Sequence, residues 1–221
     1  VFAAQRGTQP DPQDAATAAA PHRSALAVPG VRVLAVTFLG IGSVFGGMQV
    51  SLTAFSEEIG RPGVNGLLYG VFAAGNMLAG IACGAIAWKS GPRRRLIIGF
   101  LALTVTASGL WAVHSAVLLA GLGLLVGLCI APALISGYTL VDALVPASAR
   151  TEAFTWLTGA VALGLSLIHI AHGASTGFLV PFGGALLALV TLLALRSRLV
   201  PRPEGLTVAR GIGHREQVTV D

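Results

Sequence analysis

Polar and aromatic side chains recur at helical spacing inside apolar stretches of this sequence: Met48, Gln49 and Thr53 lie about one turn apart, and Tyr69, Phe72 and Asn76 repeat the arrangement. Amides and hydroxyls beside aromatic surface suit a small amphipathic organic molecule. The same amides could instead bond a neighbouring helix, for about 1 kcal/mol each. Tyr138 and Trp156 fall near the ends of apolar stretches, where they could close the mouth of a passage or anchor at a membrane interface. Asp142, Arg150 and Glu152 share one short polar segment, and ion pairs there could form a gate that breaks as two bodies separate. An exposed pair of this kind contributes only about 0–1 kcal/mol. His169 is an ionisable residue well inside an apolar stretch; it could relay protons, or bond water or a backbone carbonyl without further role.

Metal and catalytic chemistry find no support elsewhere. Cys83 and Cys129 lie in apolar stretches without CxxC spacing or a nearby cluster of ligands, and read as small packing residues. The sequence has no phosphate loop, nucleophile elbow, HExxH or pair of intramembrane acids. No enzyme activity, metal or cofactor is therefore expected. No carboxylate sits deep in an apolar stretch either, so the acid of a proton-driven cycle would lie outside these residues.

The elements that would position these groups are membrane helices. The chain is 54% hydrophobic and 10% charged, against about a quarter charged in an ordinary soluble domain. Its apolar residues gather into runs near the roughly 20 residues that cross a bilayer. Six spans are predicted at 33–55, 64–88, 96–113, 117–140, 154–175 and 177–195. The breaks between them, such as Arg61-Pro62-Gly63 and the basic run 89–95, are short, so consecutive helices should run antiparallel.

A net charge of +5 could suggest nucleic acid, but the basic residues come in bursts between apolar runs, with no interleaved aromatic and basic pattern. Membrane topology explains them better. With both ends in the cytoplasm, 13 of the 14 lysines and arginines face inward and only Arg61 faces out. Glu57 and Glu58 then occupy the first outer loop.

Helices in lipid gain little from burying apolar surface against one another, so small residues that admit close approach become the packing device. GxxxG pairs occur at Gly42–Gly46, Gly66–Gly70, Gly80–Gly84 and Gly123–Gly127, and all four are expected to be helix contacts. Pro132, inside the fourth span, frees a backbone carbonyl and could shape a cavity or a hinge.

The loop Gly84-Ala85-Ile86-Ala87-Trp88-Lys89-Ser90-Gly91-Pro92-Arg93-Arg94-Arg95 resembles the short cytoplasmic motif of the major facilitator superfamily. That motif runs glycine, three residues, an acid, a base, then glycine and further bases. Gly84, Lys89, Gly91, Arg93 and Arg94 match it, whereas Trp88 stands where the stronger copy has aspartate. The stretch from Gly127 through Pro132 to Val145-Pro146, then Arg150 to Trp156, is similar to helices ten and eleven of bacterial drug-efflux members. Ile168-His169-Ile170-Ala171-His172 departs from the small apolar residues expected there.

The resemblance implies an all-α membrane protein with six transmembrane helices, an MFS-type half-bundle equivalent to family helices seven to twelve. Residues 1–30 would be the central cytoplasmic linker, 31–198 the bundle and 199–221 a cytoplasmic tail. It further implies a secondary active transporter in the bacterial plasma (inner) membrane, exporting small amphipathic molecules or drugs by alternating access. The lipid bilayer, a small-molecule substrate and an amino-terminal six-helix half would be its partners, with no nucleic acid. A rival expectation is a non-transporting scaffold or subunit that acts through helix association.

Overall fold

In hydrocarbon a chain must satisfy its own N–H and C=O groups, and the apolar runs of this sequence do so as helices. The computed structural model describes residues 24–86, 88, 90–166 and 177–200. Among them are six α-helices: α1 (Pro29–Glu58), α2 (Val64–Ala85), α3 (Pro92–Ser108), α4 (Ala116–Leu144), α5 (Arg150–Ser166) and α6 (Leu179–Ala194). Single 3-10 turns occupy Ala25–Ala27, Leu110–Ala112, Ala147–Ala149 and Arg196–Leu199. The later part of the expected fifth span, with His169, lies outside the described residues, as does Lys89.

Among the described residues, four segments are long and apolar enough to cross a membrane: α1, α2, α3 with its following turn, and α4. The 16-residue α6 is apolar but shorter, about 24 Å at 1.5 Å per residue. Proline at the first helical position, where no N–H is needed, starts α1 at Pro29 and α3 at Pro92, earlier than the apolar runs alone suggest. Hydroxyls within the helices return their protons to the preceding turn, as Thr37 does to the Val33 carbonyl and Thr104 to that of Phe100. This spares the bilayer an unpaired polar group.

The most enclosed helix is α1. Leu34, Phe38, Ile41, Val44, Met48 and Leu52, spaced three or four residues apart, are fully buried against its neighbours. It packs most extensively on α5 and α6; α4 packs on α2 and α3, and α3 meets α6. Exchanging α1, α2 and α3 for α4, α5 and α6 maps these contacts onto themselves. Leu67, Met77, Ile81, Val105 and Val117 point outward, an apolar exterior that fits lipid as its solvent.

Glycines repeat the same symmetry. Where α1 crosses α5, a Cβ on Gly42 would collide with the Val161 carbonyl, and one on Gly164 with the Leu39 carbonyl while lying 2.8 Å from the Ser43 nitrogen. Where α4 crosses α2, a Cβ on Gly127 would collide with the Phe72 carbonyl and lie 2.9 Å from the Asn76 nitrogen, and one on Gly75 would collide with the Leu124 carbonyl. Each crossing is thus a reciprocal glycine pair with backbone resting on backbone.

Two of the four GxxxG expectations are met by helix contacts: Gly42–Gly46 lies on α5, and Gly123–Gly127 faces α2 with Gly127 the closer. The other two are corrected. Gly66, Gly70 and Gly84 have nothing within 4 Å, and Gly80 only the Ala131 methyl at 3.9 Å, because they lie on faces of α2 turned from its neighbours.

Candidate functional site

Four-residue spacing puts Gln49, Thr53 and Glu57 on one stripe of α1, where with Val50 and Ala54 they line a groove of about 320 Å³. Thr53 Oγ1 donates to the Gln49 carbonyl at 2.9 Å and accepts from Asn65 Nδ2 at 3.1 Å. Asn65 belongs to the first turn of α2, so this bond ties α2 to the rim of the groove. Neither Asn65, which resembles a turn residue, nor Glu57 stands out from the sequence as a groove residue. Only the four-residue step from Gln49 through Thr53 signals the latter.

On α2, Tyr69 is partly exposed and its ring lies 5.5 Å from Phe72, which meets Phe45 edge-on at 5.8 Å. These aromatics descend from the α2 surface to the core. Two turns along from Tyr69, Asn76 is half-buried and its Oδ1 has no hydrogen-bond partner. Burial of an unpaired amide oxygen costs about 1–3 kcal/mol, and a polar ligand could recover that cost. Tyr69 and Asn76 do not line the Gln49 groove.

Tyr138 sits in an aromatic seam, edge-on to Phe38 at 4.9 Å and tilted against Phe154 at 5.6 Å, joining α1, α4 and α5. Trp156 is exposed, and its indole N–H donates to Glu152 Oε1 at 3.3 Å.

The three charged residues of the α4–α5 connection divide into two devices. Arg150 pairs with Asp142 at 2.9 Å, both half exposed. Glu152 accepts from the Ser24 hydroxyl at 2.6 Å and the Ala25 backbone N–H at 3.0 Å, so it pins the segment entering α1 to the head of α5. Its charge also complements the amino-terminal dipole of α5. Glu152→Ala should free that segment. Amide exchange at Ala25 is expected to quicken by roughly tenfold or more, from the ~1.5 kcal/mol or more of a hydrogen bond to a charged acceptor; an unchanged rate by mass spectrometry would remove the latch.

The basic motif is built at the α2–α3 junction. Gly84 lies in open space in the last turn of α2, Gly91 is the extended cap before Pro92, and Arg93 and Arg94 occupy the first turn of α3. Positive charge at a helix amino terminus opposes the dipole, at a cost of about 0.3–1 kcal/mol per exposed residue, so local helix stability does not explain these arginines. Trp88 bridges the junction: its indole N–H donates to the Cys83 carbonyl at 3.2 Å, and its ring lies 5.5 Å from the Arg95 guanidinium.

The family profile of the Major Facilitator Superfamily matches residues 15–217. No curated protein and no solved structure matches the chain.

Proposed function

We propose, from the premise that this chain belongs to the Major Facilitator Superfamily and is thus a multi-pass secondary transporter rather than an enzyme, that its six helices form the carboxyl-terminal half of an exporter of small amphipathic organic molecules. In this reading both chain ends face the cytoplasm of a bacterial inner membrane, following the bias of basic residues. The reading is carried by the polar stripe of Gln49 and Thr53 on α1, linked through Asn65 to α2. Asn76, with its unpaired Oδ1, supplies a further group on α2.

The cavity would be completed by a second six-helix half. The open glycine face of α2 leaves room for a body to approach and slide, while close glycine crossings of α1 with α5 and α6, and of α4 with α2, hold the helices of this half together. Alternating access then becomes a rocking of one rigid body against another.

Gln49→Ala and Asn76→Ala in the complete protein test the path. Each removes one group able to bond a substrate, worth about 1 kcal/mol, so efflux at equal membrane abundance should fall by roughly fivefold. Unchanged efflux from both variants would sink the path, and altered self-association in its place would favour the scaffold reading, which the open α2 face also fits.

A further inference from the structure

The amino end of α1 and the carboxyl end of α6 enclose a groove of about 210 Å³. Arg32 and Arg198 line it together with Val33, Val36 and Leu195, and its wall is almost wholly apolar, so the guanidinium groups lie at its rim and not within it. Arg32 is the fourth residue of α1 and Val36 lies one turn further in, about 6 Å along the axis. Arg198 belongs to the turn that follows α6, and Leu195 directly caps that helix. Charge therefore gathers where the helices end, and aliphatic surface continues into the bundle.

Backbone contacts hold the side chain of Arg32 and the main chain of Arg198 in place. Arg32 Nε donates to the Leu26 carbonyl, which commits that N–H and leaves the outer guanidinium nitrogens for another acceptor. A Cβ on Gly30 would lie 2.8 Å from the Arg198 carbonyl, so the Arg196–Leu199 turn is seated directly on α1, with Leu199 buried beneath it. The Arg198 N–H closes the turn on the Leu195 carbonyl at 2.9 Å. Among the described residues no carboxylate pairs with Arg32 or Arg198.

We propose that this groove is a binding site for an anionic phospholipid, its phosphate engaged at the rim by Arg32 and Arg198 and one acyl chain lying along Val36 and Leu195. Guanidinium groups recognise phosphate by paired, charge-assisted hydrogen bonds. The acyl chain gains little by leaving equally apolar lipid, so selection comes from the headgroup and favours anionic over zwitterionic lipid. The apolar wall sets the register and distinguishes a lipid from a soluble phosphate.

The test is native mass spectrometry of the complete protein in detergent, titrated with phosphatidylglycerol, with phosphatidylcholine of the same chains, and with inorganic phosphate. Wild type should retain phosphatidylglycerol about tenfold better than phosphatidylcholine and show no comparable phosphate adduct. Arg32→Gln combined with Arg198→Gln should erase that preference, while Arg61→Gln, a charge lost far along the chain, should keep it. Val36→Trp fills the groove with both arginines intact, should likewise lose the lipid, and decides the matter if the double variant does not fold. Equal retention of the two lipids, an unchanged preference in both groove variants, or phosphate binding as strong as that of phosphatidylglycerol would each overturn the proposal.

Discussion

Gly42→Val and Gly127→Val are each expected to abolish recovery of folded, monodisperse protein, whereas Gly66→Val should leave that recovery unchanged. At Gly42 the first added carbon meets the carbonyl of Val161, lying 2.8 Å from its carbon; at Gly127 it meets the Phe72 carbonyl and the Asn76 nitrogen. Backbone cannot rotate aside as a side chain does, so the two helices have to separate along their length. Overpacking a core typically costs about 1–3 kcal/mol even when side chains can adjust. Here valine's two further methyls deepen the collision of that first carbon, and the reciprocal partners Gly164 and Gly75 would lose their contacts in the same movement, so the cost falls at or beyond the upper end of that range.

A graded series strengthens the comparison. Gly42→Ala and Gly127→Ala should each lower the melting temperature by several degrees, as expected for roughly 2 kcal/mol in a protein of this size. Gly66→Ala and Gly70→Ala meet open space and should not lower it. Melting temperatures that move equally at crossing and open positions would show that the bundle tolerates wider spacing than its backbone contacts imply. In the complete protein, Gly66→Val should reduce transport without loss of fold, since the proposed second half slides on that face.

The placement of helices was largely legible because apolar run length is dictated by the bilayer and helix ends by proline and glycine. The expected second span reached residue 88, but α2 ends at Ala85, since Trp88 turns back to cap the Cys83 carbonyl. That reversal depends on a hydrogen bond, which hydropathy does not encode. GxxxG spacing identifies residues that share a face but not what stands opposite. It therefore found Gly42 and Gly127, wrongly enlisted Gly66–Gly70, and missed Gly75 and Gly164, whose partners lie on other helices.

The groove was partly legible for the same reason. Helical spacing brought Gln49 and Thr53 together, while the Asn65 bond depends on how α1 and α2 meet. Asp142, Arg150 and Glu152 looked like one cluster because they are close in sequence. Glu152 instead bonds Ser24 and Ala25, 128 and 127 positions away, a pairing set by α5 packing on α1.

Trp88→Ala should lower transport about threefold to tenfold at equal membrane abundance, and Trp88→Phe should do so less. Where the superfamily's stronger motif carries an acid, this chain carries an aromatic ring, and that ring lies against Arg95. A ring face attracts a guanidinium by about 0.5–1 kcal/mol at exposed positions and about 2 kcal/mol when desolvated. Arg95 is half-buried and its Nε has no hydrogen-bond partner, so the ring is the contact that offsets its burial. The alanine variant loses both that attraction and the cap on Cys83, loosening α2 from α3 where the basic motif would bias the transport cycle. Phenylalanine keeps a ring but not the N–H. Trp88→Asp should restore transport above the alanine level, because a carboxylate would hold Arg95 by charge instead. If the aspartate and alanine variants transport equally, Trp88 serves only as a helix cap; if all three match wild type, the motif works without holding Arg95.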